Sequence, residues 1–357
     1  MKKVVVLGGG LVGGVIARDI AEDPALKVTV VDRDEQVLAR LRQRAKVETR
    51  RADLADSAAV TALAAENDFV IGCAPGFLGL GVLRAVIEAG RDCVDISFMP
   101  EDARVLDGRA REKGVTVVVD CGVAPGMSNM LLGHAEAELG ALTRGLILVG
   151  GLPVQRRWPW EYGAVFSPID VIEEYTRVAR YVEHGQLVER EALTDPELHY
   201  FPGLGTLESF NTDGLRSLMD TIKAPDLKEK TMRWPGHIEK IRVLRETGFF
   251  SQTPIEVGGV SVRPLDVTAK LLFPMWKLRE GEDELTVMRV EAEGLKGQAK
   301  VRYTYDLLDR TDPVTHEMSM ARTTGFPATA MARLILGGQL KRPGVTPPEM
   351  LGRERPI

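Results

Sequence analysis

The chain has 357 residues, 44% of them hydrophobic, and a formal net charge of −5. That length exceeds what one core fills, so two domains are expected, and mixed charge with a mildly acidic balance argues against a nucleic-acid partner. No segment is apolar for long enough to be read as membrane-spanning, and the apolar settings of Cys73, Cys93 and Cys121 suit buried thiols in a reducing, cytoplasmic compartment rather than a disulfide framework or a metal site.

The first thirty-two residues are the most informative. An apolar run, Lys3 to Leu7, is followed by Gly8-Gly9-Gly10-Leu11-Val12-Gly13, and Val28 to Val31 runs into Asp32. Strand, G-x-G-x-x-G turn, helix and second strand ending in an acid form a dinucleotide-binding fingerprint. Gly8 permits the tight turn, Gly10 lets backbone approach a pyrophosphate, and Gly13 lets the helix pack on the strand. The helix start at Gly10, Leu11, Val12 and Gly13 offers unpaired N–H groups to phosphate. Met1-Lys2-Lys3 is read as leading into the strand, not as a leader, because no small-residue cleavage site follows.

Asp32 would accept hydrogen bonds from the adenosine ribose. A 2′-phosphate about 4 Å from that carboxylate would be opposed by up to ~4 kcal/mol. Arg33 could pair with the phosphate if Asp32 turned away, so NAD is expected and NADP stays open. Asp53 and Leu54 lie just past the third strand, where Asp53 either reaches the adenine amino group or caps the next helix. Ala74 and Pro75 follow the fourth strand, where small residues let backbone approach the nicotinamide.

Up to about residue 123, strand-like runs (3–7, 27–31, 46–49, 68–72, 92–95, 115–119) alternate with helical stretches (11–22, 34–44, 56–65, 78–89, 101–113). This predicts a Rossmann-type, doubly wound parallel sheet. The rhythm stops at Gly122-Val123-Ala124-Pro125-Gly126, and Met127 to Leu139 reads as a helix. β runs then follow at Gly145–Val149, Ile238–Leu244, Leu285–Glu293 and Lys300–Asp306, among Pro- and Gly-rich loops. Apolar residues at spacings of three and four over 327–340 predict a C-terminal helix. The expected organisation is α/β: residues 1–124 and 325–357 form the nucleotide domain, and 125–324 an inserted mixed α/β domain for substrate binding and subunit contact.

Asp95 and Ser97 end the fifth strand and Asp120 the sixth, at the sheet edge where such folds bind ligands. In the second half the candidates are Glu161, Tyr162, Tyr175, Thr212, Arg233 and His237. His237 follows a Pro-Gly pair and either lines the site or is structural. Arg233 suits a carboxylate, or pairs with Glu229 four residues earlier. His134, on the apolar face of its helix, is expected to be a packed core residue. No His/Cys metal spacing and no Ser-His-Asp order occurs.

Together, Gly8-x-Gly10-x-x-Gly13, Val94-Asp95-Ile96-Ser97, Asp120-x-Gly122-Val123-Ala124-Pro125-Gly126-Met127, Gly150-Gly151-Leu152-Pro153, Glu161-Tyr162-x-x-Val165-Phe166-Ser167 and Gly236-His237-x-Glu239-Lys240 resemble the saccharopine dehydrogenase-like family, and within it the lysine 6-dehydrogenases. The likeness runs from residue 1 to at least about 250. Saccharopine reductases carry Gly-Leu-Asp-Pro-Gly-Ile-Asp-His where this chain has Gly122-Val123-Ala124-Pro125-Gly126-Met127-Ser128-Asn129, so both acids and the histidine are missing. Phe98-Met99 differs from the Gly- and His-containing version of some lysine 6-dehydrogenases.

The resemblance implies a homodimeric or homotetrameric NAD(P)-dependent oxidoreductase acting on CH–NH2 or CH–NH groups of a small amino-acid substrate. The specific expectation is NAD-linked oxidation of L-lysine at its ε-carbon, giving 2-aminoadipate 6-semialdehyde, its cyclised form 1-piperideine-6-carboxylate, and ammonia. Hydride leaves only a neutral amine, and neutralising a lysine ammonium at pH 7 costs about 4.6 kcal/mol. His237, or a water held by Tyr162, would accept the proton. Asp95 or Glu161 would bind the ammonium, and Arg233 the α-carboxylate. The alternatives are a saccharopine-type or carboxyspermidine-type reductase and, from another class, a non-catalytic NAD-binding sensor.

Overall fold

The computed structural model describes residues 1–279 and 281–354. Residues 355–357 of the expected nucleotide domain lie outside them. In chain order the elements are β1 (Lys2–Leu7), α1 (Leu11–Ala21), β2 (Leu26–Asp32), α2 (Glu35–Arg44), β3 (Glu48–Arg51), α3 (Ser57–Ala65), β4 (Phe69–Gly72), α4 (Gly76–Glu88), β5 (Asp92–Asp95), α5 (Asp107–Lys113), β6 (Thr116–Val118) and α6 (Met127–Leu139). Then come β7 (Leu142–Pro153), α7 (Pro168–Thr176), β8 (Ala179–Glu183), β9 (Gln186–Arg190), β10 (Glu197–Phe201), β11 (Gly205–Asn211), α8 (Leu218–Thr221), β12 (Asp226–Arg233) and α9 (His237–Glu246). The chain ends with β13 (Ile255–Val257), β14 (Val260–Val262), α10 (Pro264–Trp276), β15 (Glu284–Lys296), β16 (Ala299–Arg310), α11 (Ser319–Leu336), β17 (Gly344–Thr346) and α12 (Pro348–Gly352). They divide into two compact units, one of residues 1–134 with the segment from Ala321 onward, the other Ala135–Met320.

The first unit is a parallel sheet of order β17-β6-β5-β4-β1-β2-β3, the doubly wound arrangement with one strand added from the C-terminal segment. Alternation along the strands explains its two cores. Val5 and Leu7 of β1 pack with α3 and α4 through Val60, Leu63, Val82 and Leu83. Val4 and Val6 face the other way, onto Ile16, Ile20, Leu38 and Leu41, and onto Ala328, Met331, Ala332 and Ile335 of α11. Strands buried on both faces can be apolar at every position, as Val4–Leu7 of β1 and the whole of β4 are.

The second unit is a mixed sheet of order β10-β11-β12-β7-β15-β16, with β8 and β9 branching from β12. β7 runs parallel to β12 and antiparallel to β15. Residues Ile238–Leu244, expected as a strand, lie in helix α9. Ile238 and Ile241 are buried while Val243 is exposed, a spacing of three that suits a helical face, and Gly236 at φ +90 turns the chain into that helix. His134, expected in the core, is exposed on α6; the flanking Gly133 and Ala135 carry the buried face instead.

Candidate active site

The candidate residues fall into two groups, one in each unit. In the first, Gly8 has φ +114, and a Cβ there would lie 2.4 Å from the Cys73 carbonyl oxygen. A Cβ on Gly13 would meet the Gly8 carbonyl oxygen at 2.0 Å. Gly10 differs: a Cβ there would meet nothing within 4 Å. The open space lies at the start of α1, which has no acid in its first turn and whose N-cap, Gly10, brings no capping side chain. A pyrophosphate fits this donor set. Leu11 is exposed, Val12 half-buried and Ala74 buried, while Pro75 leads into α4.

Asp32 ends β2 and accepts N–H bonds from Gly9 (2.8 Å, Oδ2) and Asp34 (2.9 Å, Oδ1). Each oxygen keeps a lone pair for a ribose hydroxyl. Arg33 is exposed, and Arg51 donates through Nε to its carbonyl at 3.1 Å. Two cationic side chains therefore emerge beside Asp32, so the acid and the arginines together leave both NAD and NADP open. The Asp53 carboxylate accepts from Ala55 N–H at 3.0 Å, whereas Asp56 caps α3. Leu54 packs on the sheet's core.

At the carboxyl ends of β4 and β5, Asp95 is completely buried and accepts from Ser97 N–H at 2.8 Å and Ser97 Oγ at 3.3 Å. Gly72 makes room for it, since a Cβ there would sit 1.9 Å from Asp95 Oδ2. Burial pushes the Asp95 carboxyl up to about 7, with the negative field of Asp120 adding to the rise and the Ser97 bonds opposing it. A carboxyl poised near neutrality at the ligand edge of an open α/β sheet has the proton affinity a general base needs. Ser97 and Asp120 are both buried there.

In the second unit the chain brings Tyr162, Tyr175, Arg233 and His237 together in one aromatic cluster with Trp276. Its bonds run in one direction. His237 Nδ1 lies 2.8 Å from the Trp160 carbonyl, which can only accept, so Nδ1 carries the proton. Nε2 is then an acceptor, 2.9 Å from the Tyr175 hydroxyl. Tyr175 in turn accepts from Arg233 Nε at 3.2 Å. Arg233 is 2% exposed and donates also to Glu174 (2.8 Å) and to the Met232 carbonyl (3.0 Å), with its guanidinium 4.7 Å from the Tyr162 ring centre. It thus pairs with Glu174 on α7, not with Glu229 on its own strand.

Burial, with the Arg233 charge adding, depresses His237 to about 3. Burial lifts Tyr175 to about 12. The imidazole is therefore neutral and the phenol protonated across the physiological range. Taking a proton from an ammonium near 10.4 onto such an imidazole would cost about 10 kcal/mol. His237 is built to fix Tyr175 rather than to hold a substrate proton.

Thr212 and Glu161 stand apart from this string. Thr212 Oγ lies 2.7 Å from Glu229 Oε2 and 2.9 Å from Thr231 Oγ. Glu161 pairs with Arg156. Burial pushes Glu229 up to about 8, so the native state keeps a proton that the unfolded chain releases near 4.5. Stability is therefore lost as pH rises from about 4.5 to 8, by about 5 kcal/mol on this group alone. His237 acts oppositely, losing stability as pH falls from about 6.5 towards 3. Glu229→Gln is expected to raise the melting temperature at pH 8 by several degrees while changing it little at pH 5. Equal shifts at both pH values would show that Glu229 is ionised in the native state.

Comparison with known proteins places the chain. Residues 4–118 match the saccharopine dehydrogenase NADP binding domain and residues 122–357 the saccharopine dehydrogenase C-terminal domain. The chain belongs to the saccharopine dehydrogenase family. It is 23% identical to alpha-aminoadipic semialdehyde synthase of Mus musculus over 97% of this chain and 45% of that one. It is 26% identical to saccharopine dehydrogenase [NADP(+), L-glutamate-forming] of Saccharomyces cerevisiae over 97% of this chain and 94% of that one. The chain thus spans about half the length of the mouse relative but nearly all of the yeast one. The apo yeast saccharopine dehydrogenase structure superposes with a TM-score of 0.82 at 20% identity, covering 99% of this chain and 95% of that one, which shows a shared fold.

Within this family frame, sequence reasoning missed Glu174, Trp276 and the Trp160 carbonyl. Glu174 stood in a visible grouping, Glu173-Glu174-Tyr175, but alternation on β12 is what aims Arg233 at it. Nothing local marks Trp276, which reaches the cluster from α10. The free thiols Cys93 and Cys121 are buried and Cys73 half-buried. Among the described residues no helix is long and apolar enough to cross a membrane, and no His, Cys, Asp or Glu group is placed to hold a metal ion.

Proposed function

We propose that this chain is an NAD(P)-dependent oxidoreductase acting at a C–N bond of a basic amino acid: L-lysine loses a hydride from its ε-carbon to the nicotinamide, and water hydrolyses the resulting imine to 2-aminoadipate 6-semialdehyde (1-piperideine-6-carboxylate once cyclised) and ammonia. One observation carries the choice of a single amino acid over a two-amino-acid adduct. The Gly122–Asn129 segment offers no charged side chain, and its polar ones are used internally. Ser128 and Asn129 are fully buried, with Asn129 bonded to Gly126 N–H at 3.2 Å and to Glu349 at 3.2 Å. An adduct with extra carboxylates would leave those charges unpaired here.

The nicotinamide, when bound, supplies the hydride acceptor. Gly8, Gly10, Leu11, Val12 and Gly13 would hold the pyrophosphate, Asp32 with Arg33 the ribose end, Asp53 and Leu54 the adenine side, and Ala74 and Pro75 the nicotinamide side. Asp95 takes the proton from the substrate ammonium, helped by Ser97 and Asp120, because its proton affinity lies closest to neutrality. Glu174, whose side chain is 18% exposed, is the partly exposed carboxylate of the second unit's cluster. Tyr175, His237 and Arg233 position it, and Tyr162 stacks on the guanidinium.

The names of the relatives favour a second reading, a saccharopine-type reductase. The deciding measurement is reduced-cofactor formation against a panel of basic amino acids, diamines and saccharopine, with NAD and NADP in parallel arms. Lysine-dependent turnover that rises towards alkaline pH is expected, as more amine is then neutral. Turnover of saccharopine alone would replace lysine with the adduct, and cofactor binding without any turnover would leave a nucleotide sensor.

A further inference from the structure

β16 is the terminal strand of the eight-stranded sheet. It pairs with β15 over its whole length, from Leu285↔Arg310 to Lys296↔Ala299, with no register shift. Its other edge has no strand partner among the described residues, so every second N–H and C=O points away unpaired by a strand. Edges of this kind are normally kept short, bulged or interrupted by proline. β16 is twelve residues long and reads Ala-Lys-Val-Arg-Tyr-Thr-Tyr-Asp-Leu-Leu-Asp-Arg, with neither proline nor glycine. Lys300, Arg302, Thr304, Asp306 and Leu308 are exposed on one face, and Val301, Tyr303, Tyr305 and Leu307 are half-buried on the other.

We propose that this edge pairs antiparallel with the same edge of a second copy of the chain, about a two-fold axis through Thr304. Charge selects the register. With Thr304 opposite itself, Arg302 faces Asp306 of the second copy, Tyr303 faces Tyr305, Val301 faces Leu307, and no like charges meet. Within one chain Arg144 pairs with Glu293 (3.1 Å), Glu293 with Arg302 (2.7 Å), and Asp306 with Arg289 (2.6 Å). The ladder registers Arg144 on Glu293, Glu293 on Arg302 and Arg289 on Asp306. The junction therefore completes a row of alternating sign, Arg144–Glu293–Arg302, then Asp306–Arg289 of the second copy, and the symmetry repeats it. An axis at Tyr305 sets Lys300 against Arg310, and an axis at Asp306 or Arg302 sets like side chains face to face. An axis at Tyr303 pairs Lys300 with Asp306 but breaks the row, since Lys300 is registered on Leu295. Opposed unlike charges and aromatic pairs favour a ladder, and opposed like charges disfavour it.

The test uses the full chain. Sedimentation velocity across a hundredfold concentration range is expected to show a dimer. Thr304→Lys puts two ammonium groups directly opposite on the axis and should weaken association at least tenfold with the melting temperature of the monomer unchanged, because Thr304 is exposed. Thr304→Cys should form a covalent dimer on mild oxidation, whereas Leu308→Cys, which faces Lys300, should not. A chain monomeric at every concentration would overturn the proposal. So would a dimer whose affinity Thr304→Lys leaves intact, or a dimer in which Thr304→Cys fails to cross-link, and this last arm stands even if the lysine variant does not fold.

Discussion

Asp95→Asn is expected to lower kcat by about 10²–10⁴-fold, the usual contribution of a positioned general base. The affinity for NAD(P), measured by fluorescence titration, should change little, because the residues proposed for the pyrophosphate and ribose belong to the β1–α1 turn, the start of α1 and the end of β2. The pH profile provides the stricter check. Burial holds the Asp95 carboxyl at about 7, so its ionised form accumulates as pH rises through neutrality. The wild-type kcat/KM should climb across that range and again as the free amine loses its proton. In the variant only the second rise should remain.

Stability separates this outcome from simple unfolding. The native state keeps the Asp95 proton up to about 7, and the unfolded chain releases it near 3.8, so the carboxyl costs stability as pH rises between those values. The amide has no proton to lose. The variant should therefore melt no lower than wild type at pH 8 while being nearly inactive. A kcat within threefold of wild type would return Asp95 to a purely structural role and leave the proton acceptor elsewhere.

The second large effect is a contrast between two glycines three residues apart. Gly13→Ala places a methyl 2.0 Å from the Gly8 carbonyl oxygen, against backbone that cannot move without parting α1 from β1. A loss of at least ~3 kcal/mol of stability is expected, at the high end for an overpacked core. Gly10→Ala meets nothing, and its backbone, at φ −63 and ψ −160, is open to any residue. That variant should melt with wild type, yet bind NAD(P) at least tenfold more weakly because its methyl occupies the space left for the pyrophosphate. Isothermal titration and thermal melts on both proteins check the pair. Unaltered cofactor affinity in Gly10→Ala would remove the phosphates from this turn.

The two halves of the chain were unequally legible. β1 to β6 and their helices could be placed because the strands other than the polar edge strand β3 carry short apolar runs set between helical stretches, a pattern carried by neighbours in sequence. β17 escaped notice: three residues, Gly344–Thr346, are too few for a periodicity, and they become a strand only because β6 offers a free edge. The segment 238–244 was readable as β by its apolar content, but the spacing of Ile238 and Ile241 and the turn at Gly236 were the better guides. The polar strand β12 shows no simple alternation of apolar residues. Both its faces are buried, and its charged side chains are satisfied by Glu174, Thr212 and Glu197 from other elements.

By itself the sequence determined the nucleotide turn, the acid after the second strand, the parallel sheet and the family, because each of these is written in residues close together along the chain. Only the tertiary structure decided which groups carry which protons. Asp95 is an ordinary carboxylate until Gly72 and burial lift it. His237 is an ordinary imidazole until the Trp160 carbonyl, Tyr175 and Arg233 surround it. Proton affinity follows from desolvation and neighbouring charge, and both come from residues far apart in sequence that meet only when the chain has folded.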